Sequence, residues 1–364
     1  MATQVPNRML AFDGGNFAFR NKIINGDMRI DQRYSGSAAT SNITGTRLYT
    51  ADRFFVALQS ANPFLITAQR KTDDSNPQFV NYFRTTTTTA TNYTGTAAEL
   101  GQYVIQQRIE GNDIRNFNFG TPQAKTLILT FWVRSNYTGT YQVNCVNGPG
   151  PFGRMCVSTY QINTANTWEK KTITIPGDTQ EFSSWLTNND IGLVISWGLG
   201  ISDIFYTSEG FGTNSWNTRN ITTNPRPDIS INNTSQKLHN KAGAYFDLTG
   251  VQLEEGSYAT PFEQRPIGTE LALCQRYFQY YPGNWTNAGY TTSGTAQVIT
   301  TPLPIPMRTS PIINFTPKNV VNATLAYFDD GGANDRVFFG VFSTSSTGGV
   351  FQYTAEDASF NAEL

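Results

Sequence analysis

Thr126-Leu-Ile-Leu-Thr-Phe-Trp-Val-Arg134 is the stretch that decides the fold. Almost every residue in it is aliphatic, aromatic or β-branched, and nothing in it has the spacing of an amphipathic helix, so it reads as a central strand of a β-sandwich. Working outward, similar short runs precede it at residues 22–30, 49–58, 64–69, 79–84 and 103–109. Others follow at 141–146, 155–162, 169–175, 191–197 and 244–253. Turn chemistry separates them, as in Asn147-Gly-Pro-Gly-Pro-Phe-Gly153 and Pro176-Gly177. Many short strands without helical spacers predict an all-β chain, a sandwich or jelly roll rather than a parallel α/β sheet. The Thr-rich tract at 85–91 reads as a loop or an edge strand. The polar stretch 207–241 reads as a long loop and a candidate contact surface.

The organisation expected over the 364 residues has four parts. Residues 1–20 form an N-terminal docking arm, 21–265 a jelly-roll β-sandwich, 266–281 a connecting helix, and 282–364 a small C-terminal β tip. The helix rests on Ile267-Gly-Thr-Glu-Leu-Ala-Leu-Cys-Gln-Arg-Tyr-Phe278, with Thr269 as N-cap and Leu271, Cys274, Tyr277 and Phe278 on one face. Pro266 stops any strand ahead of it. The tip strands are read at 297–301, 312–315, 324–328, 336–342 and 349–353. No fixed-period repeat points to a β-helix or propeller.

Composition narrows the function. Charged residues are only 15% of the chain and aromatics 13%, with a formal net charge of −1. That excludes the basic footprint of a nucleic-acid binder and favours polysaccharide or protein partners. No apolar run approaches the roughly 18 residues of a membrane helix, and the N-terminus has no secretory pattern. Of three cysteines, Cys145 and Cys156 flank the 147–153 turn, where a hairpin would set them opposite one another. Such geometry permits a disulfide, whereas a reducing compartment opposes it. Cys274 reads as buried packing, and no Cys/His set has zinc spacing, His239 being the only histidine.

Asn21-Lys-Ile-Ile-Asn-Gly-Asp-Met-Arg-Ile-Asp-Gln-Arg33 and Tyr49-Thr-Ala-Asp-Arg-Phe54 resemble the opening of phage tail-fibre and virion appendage proteins. Leu248-Thr-Gly-Val-Gln-Leu-Glu-Glu-Gly-Ser-Tyr-Ala-Thr-Pro-Phe-Glu-Gln-Arg265, with Glu270-Leu-Ala-Leu-Cys-Gln-Arg-Tyr-Phe278, resembles a second marker of that family. Pro304-Ile-Pro-Met-Arg-Thr-Ser-Pro311 is a third echo. The resemblance implies a jelly roll like those of carbohydrate-binding modules, then a helix and a small β tip. It also implies a homotrimer in a virion. An external-type composition without an export signal fits a virion protein made in the host cytoplasm, and residues 1–20 are read as the arm that docks onto other virion proteins, with Arg8 and Phe12 as the docking candidates. The expected function is a fibre or knob subunit that attaches to a host-surface glycan. A capsid decoration protein, head fibre or fibre adaptor is the structural alternative, and no coiled-coil heptads supply a shaft.

Sugar recognition needs an aromatic face rimmed by hydrogen-bonding side chains. Trp216 with Arg219, and Trp285 with Asn284, lie among polar residues and are the glycan-binding candidates; the alternative is that each ring folds back onto the sandwich. Trp132 and Trp197 read as embedded in apolar strands. No cofactor is expected beyond a structural calcium, which jelly-roll carbohydrate-binding modules often hold between first and last strands. The matching residues are Asn25, Asp27 and Asp247, unless Asp27 pairs with Arg29 or Arg53. Asp329-Asp-Gly-Gly-Ala-Asn-Asp335 reads as a hairpin turn. The chain is read as non-catalytic. A polysaccharide depolymerase would need two carboxylates about 5–10 Å apart, and Glu110, Asp113, Glu254 and Glu255 show no such spacing, Glu254 and Glu255 pointing to opposite faces of a strand.

Overall fold

In the computed structural model the described residues are 19–41, 47–59, 65–90, 102–148, 152–181, 185–201, 213–220, 236–291, 296–329, 334–343 and 349–364. The sandwich strands are β1 (Ala39–Ser41), β2 (Arg47–Ala51), β3 (Phe54–Gln59), β4 (Leu65–Thr72), β5 (Asn81–Thr89), β6 (Gln102–Glu110) and β7 (Leu127–Ser135). They continue as β8 (Gly139–Asn147), β9 (Phe152–Ile162), β10 (Glu169–Ile175), β11 (Ile191–Ile201), β12 (Trp216–Asn220) and β13 (Tyr245–Glu255). A one-turn helix α1 (Gly111–Ile114), not anticipated from sequence, follows β6. No helix among the described residues is long and apolar enough to cross a membrane.

Two antiparallel sheets face each other. The six-stranded sheet runs β1-β4-β5-β13-β7-β10 and the seven-stranded sheet β12-β9-β8-β11-β6-β3-β2. The fold is an all-β jelly-roll sandwich. Side chains alternate across each strand: from β7, Leu127, Leu129, Phe131 and Val133 enter the core and meet Trp197 of β11, Phe246 of β13 and Phe54 of β3. Trp197 is fully buried and packs edge-on against Phe131 at 5.7 Å.

Several expectations change here. Residues 22–30 are no strand: Asn25 and Met28 have φ of 58° and 57°. The Asn25 side chain closes this turn, accepting from Ile30 N at 2.9 Å and donating to the Ile30 and Asp52 carbonyls at 2.9 Å each. Asn tolerates the left-handed region because its amide bonds locally. Gly26 follows, and a Cβ there would lie 2.1 Å from the Val251 carbonyl oxygen. The run 49–58 is split at Asp52-Arg53 into the β2–β3 hairpin, with Arg53 at φ 70°. The Thr tract is not an edge: β5 lies inside the sheet. Thr85 and Thr87 are buried there because their hydroxyls are satisfied, Thr85 by the Tyr103 hydroxyl at 2.8 Å and Thr87 by the Leu238 carbonyl at 2.9 Å.

Cys145 and Cys156 are direct cross-strand partners of the β8–β9 hairpin. Both are free thiols in the core, and burial pushes Cys156 up to about 12.

The connecting helix, α2 (Ile267–Gln275), is shorter than expected, and its N-cap residue is Pro266 rather than Thr269. The C-terminal strands are β14 (Phe278–Thr291), β15 (Ala296–Pro302), β16 (Ile312–Val321), β17 (Ala323–Asp329), β18 (Arg336–Ser343) and β19 (Gly349–Asn361). They form two three-stranded sheets, β14-β19-β16 and β15-β18-β17. A small cluster of Leu303, Met307, Ala358, Phe360 and Ala362 is the core of this unit.

So small a core gains support from the sandwich through a polar junction. Arg276 donates to both oxygens of Glu110 at 2.8 and 2.9 Å. Glu270 accepts from Asn25 N at 2.5 Å and pairs with Arg265 at 3.3 Å. Arg53 pairs with Glu363 and lies 3.4 Å over the Tyr277 ring, while Arg33 lies 3.6 Å over Phe278. Arg47 and Arg108 both donate to the Leu364 main-chain oxygen, at 3.0 and 2.6 Å. The stretches 21–33 and 248–278, distant in sequence, are thus interlocked parts of one junction.

Candidate functional site

The outer face of the six-stranded sheet carries the candidate site. The alternation that sends Phe131 and Val133 inward turns Thr130 and Trp132 outward, and the two line a cleft of about 340 Å³. That volume lies within the range of small-ligand sites. The register places Lys170 of β10 directly opposite Trp132. Trp132 is half-buried and Lys170 exposed, so the floor presents an indole beside an ammonium group.

Two loops wall the cleft. Residues 73–80, between β4 and β5, contribute Gln78 and Phe79; residues 256–264, after β13, contribute Thr260, Pro261, Phe262 and Gln264. The two walls meet where Phe79 packs edge-to-face on Phe262, with centroids 4.9 Å apart. A bulge in β13 between Thr249 and Gln252 makes room for this contact. At its centre Gly250 has φ of +59°, and a Cβ there would fall 2.4 Å from the Phe79 ring.

Both walls are held from beneath. Asn76 is buried and accepts from the Gln78 and Phe79 amides at 2.9 and 3.0 Å. Ser75 Oγ accepts from Arg134 at 2.7 Å and from Trp168 Nε1 at 3.0 Å, fastening the loop to the sheet. Burial works to raise Asp73, but hydrogen bonds from Ser75 and Tyr82 overcome it and hold this carboxyl down at about 2. On the other wall, buried Glu254 accepts from Thr260 N at 2.9 Å and Thr260 Oγ1 at 2.6 Å. The Glu263 amide donates to Gln252 at 2.7 Å. Preorganised walls of this kind lower the ordering cost of binding.

Trp216, a glycan candidate from sequence, is half-buried in an aromatic cluster against the sandwich core. Its Nε1 donates to the Pro176 carbonyl at 2.6 Å, and its ring packs on Phe119 and Trp185, both at 5.3 Å. Arg219 lies on β12 opposite Gly153, with its side chain outside the described residues. Asn284 and Trp285 lie on β14 opposite Glu356 and Ala355, in a strand rather than a turn. Asn284 is exposed, and the Trp285 side chain is outside the described residues. The two candidate pairs therefore occupy separate units.

The calcium residues are not gathered either. Asp27 pairs with Arg29 at 2.5 Å, and Asn25 is spent on its turn. Asp247 is fully buried and takes Arg84 at 2.6 and 2.7 Å and Arg134 at 2.7 Å. Gly26 sits opposite Val251, so Asp247 is about 13 Å further along the strand at 3.3 Å per residue. Among the described residues no group of three metal-ligating side chains occurs. Arg8 and Phe12 lie outside the described residues.

Sequence reading missed Trp132 by treating its strand as uniformly apolar. The outward set Thr130, Trp132 and Arg134 was the available signal, since its polar members mark one face.

Fold and cleft together define a jelly-roll β-sandwich protein with an aromatic-floored cleft on one sheet. No protein-family model matches the chain, and no curated protein matches it. Among solved structures it is similar to the enzymatically active domain of tailspike protein 4 of bacteriophage CBA120, at 10% identity and a TM-score of 0.32, over 65% of this chain and 22% of that one. It is also similar to a protein from Bacteroides thetaiotaomicron, at 10% identity and a TM-score of 0.31, over 65% of this chain and all of the other. The family 11 carbohydrate-binding module of a Clostridium thermocellum cellulosomal cellulase is similar at 10% identity and a TM-score of 0.28, over 62% of this chain and 99% of the module.

Proposed function

We propose that the chain binds a glycan in the cleft over Trp132, without cleaving it, and that it serves as a fibre or knob subunit of a phage virion at the host surface. The carrying observation is the half-buried indole on the floor of a preorganised cleft rimmed by Gln78, Gln264, Thr130 and Thr260. An indole face stacks on the C–H face of a pyranose, and amides and hydroxyls read its hydroxyls. Among the described residues the cleft lining carries no carboxylate, whereas a glycosidase uses a pair of them. Three of the four candidate carboxylates are engaged elsewhere: Glu110 by Arg276, Glu254 by Thr260 and Glu255 by Lys125.

The virion role rests on the resemblance of residues 21–33, 49–54 and 248–278 to appendage proteins. Self-association as a homotrimer goes with it, and the exposed Ile312, Val320 and Val321 on the sheet-edge strand β16 are apolar surface that assembly would cover. The test is Trp132→Ala, which should weaken binding to host-surface polysaccharide at least tenfold and reduce competition with phage adsorption. Unchanged binding by a folded W132A protein would remove the cleft from the function.

A further inference from the structure

The cleft has one charged lining residue, Lys170. It is exposed and has no ion-pair partner among the described residues. Carboxylates on the elements around the cleft are engaged by other groups among the described residues. Glu169 is bound by Lys171 at 2.5 Å and by the Asn163 amide at 2.7 Å. Glu254 is taken by Thr260 and Gln252, and Glu263 faces Arg265 at 3.5 Å. Asp247 is enclosed by Arg84 and Arg134. A cation is therefore left alone among amides and hydroxyls, at the edge of the ring on which a sugar would stack.

We propose that the ligand of this cleft is an acidic saccharide and that Lys170 is the residue that selects its anionic group. This rests on the glycan-binding reading above and deepens it. The geometry follows from the register: Trp132 and Lys170 are directly opposed on adjacent antiparallel strands, which puts their Cβ atoms about 5 Å apart on one face. The four-carbon stem carries the ammonium past the indole edge, where a substituent of the stacked sugar ring projects. Carboxylate, sulfate and phosphate esters share the chemistry that this ammonium would meet. The competing account is that Lys170 only guards the edge of the sheet, since β10 is an edge strand and lysine discourages edge-to-edge pairing. An edge guard has no effect on saccharide preference, so the two accounts are separable.

The test uses the full chain on an array that pairs neutral glycans with uronate, sulfated and phosphorylated ones. Titration with oligogalacturonate and its methyl ester then follows. The acidic form should bind about tenfold tighter, the size of one charge-assisted hydrogen bond, and the preference should shrink with added salt. K170Q should abolish the preference, K170R should keep it, and W132A should weaken both forms. Equal binding of acid and ester on the array and in solution, or an acid preference that survives K170Q, overturns the proposal. Neutral-only binding that W132A removes overturns it alone, leaving the glycan reading standing. A protein that binds nothing on the array defeats both.

Discussion

Gly250→Ala is the perturbation that tests how the cleft is built. The new methyl group would stand 2.4, 2.8 and 3.0 Å from three carbons of the Phe79 ring, so the ring must leave its place against Phe262. Two costs add. The φ of +59° is left-handed, which costs a residue with a Cβ about 1–2 kcal/mol. Losing the edge-to-face contact costs about 0.5–1.5 kcal/mol more. Gly243 is the control: its φ is +76° with nothing within 4 Å of an added Cβ. G243A therefore carries the conformational cost alone, about 1–2 kcal/mol. The gain from restricting the unfolded chain is common to both variants and cancels in the comparison. Denaturant unfolding should show G250A more destabilised than G243A by about 0.5–1.5 kcal/mol. In the double variant F79A/G250A that excess should disappear, because the ring that clashes is gone. Saccharide binding should fall in G250A and hold in G243A. Equal destabilisation by the two glycine substitutions, or full additivity of F79A with G250A, would refute the steric reasoning.

Two further outcomes concern the whole molecule. Burial raises Asp52 from 3.8 to about 6 against the opposing pull of Arg33, and burial likewise raises Asp27 and Asp247. The folded state thus holds protons that the unfolded chain has released. This stability is fully present below about pH 4 and is lost as pH rises through about 6, roughly 3 kcal/mol for Asp52 alone at 1.36 kcal/mol per pH unit. The depressed Asp73 and Glu169 act oppositely, losing their contribution as pH falls below about 4. Thermal melts should therefore peak near pH 4–5, and D52N should flatten the decline toward pH 7; a melting temperature climbing steadily to pH 7.5 would contradict the assignment. Light scattering of the purified chain should give a mass near three times 40.4 kDa, and a monomer would end the trimer proposal.

What the sequence disclosed was local. Residues 126–134 announced a central strand because their own side chains decide that, and the 147–153 turn put Cys145 opposite Cys156 because a short hairpin leaves little choice of register. What stayed hidden depends on partners far along the chain. Asp52 and Arg53 look like two strand residues until Glu363 and Tyr277, some 300 and 220 positions later, supply their surroundings. Thr85 and Thr87 look like loop until Tyr103 and Leu238 satisfy their hydroxyls inside the sheet. Trp132 could be placed on a strand but not over a cleft, because the walls come from residues 73–80 and 256–264. Of the stretches that carry the family resemblance, 21–33 and 270–278 fall in the junction, whereas 248–265 also supplies Gly250, Thr260, Pro261, Phe262 and Gln264 to the cleft.

That junction also sets how the molecule would carry load. The chain enters the C-terminal unit through β14 and leaves it through β19, and the register pairs Phe278 directly with Asn361 at the point of entry. Both strands are therefore rooted at one place, side by side, with Arg33 against Phe278 and Arg53 against Glu363. A pull on the tip would be shared by two hydrogen-bonded strands in shear and not borne by one linker. The tip and the sandwich would then tilt together as a stiff lever, so that a grip at one end is felt as torque at the other.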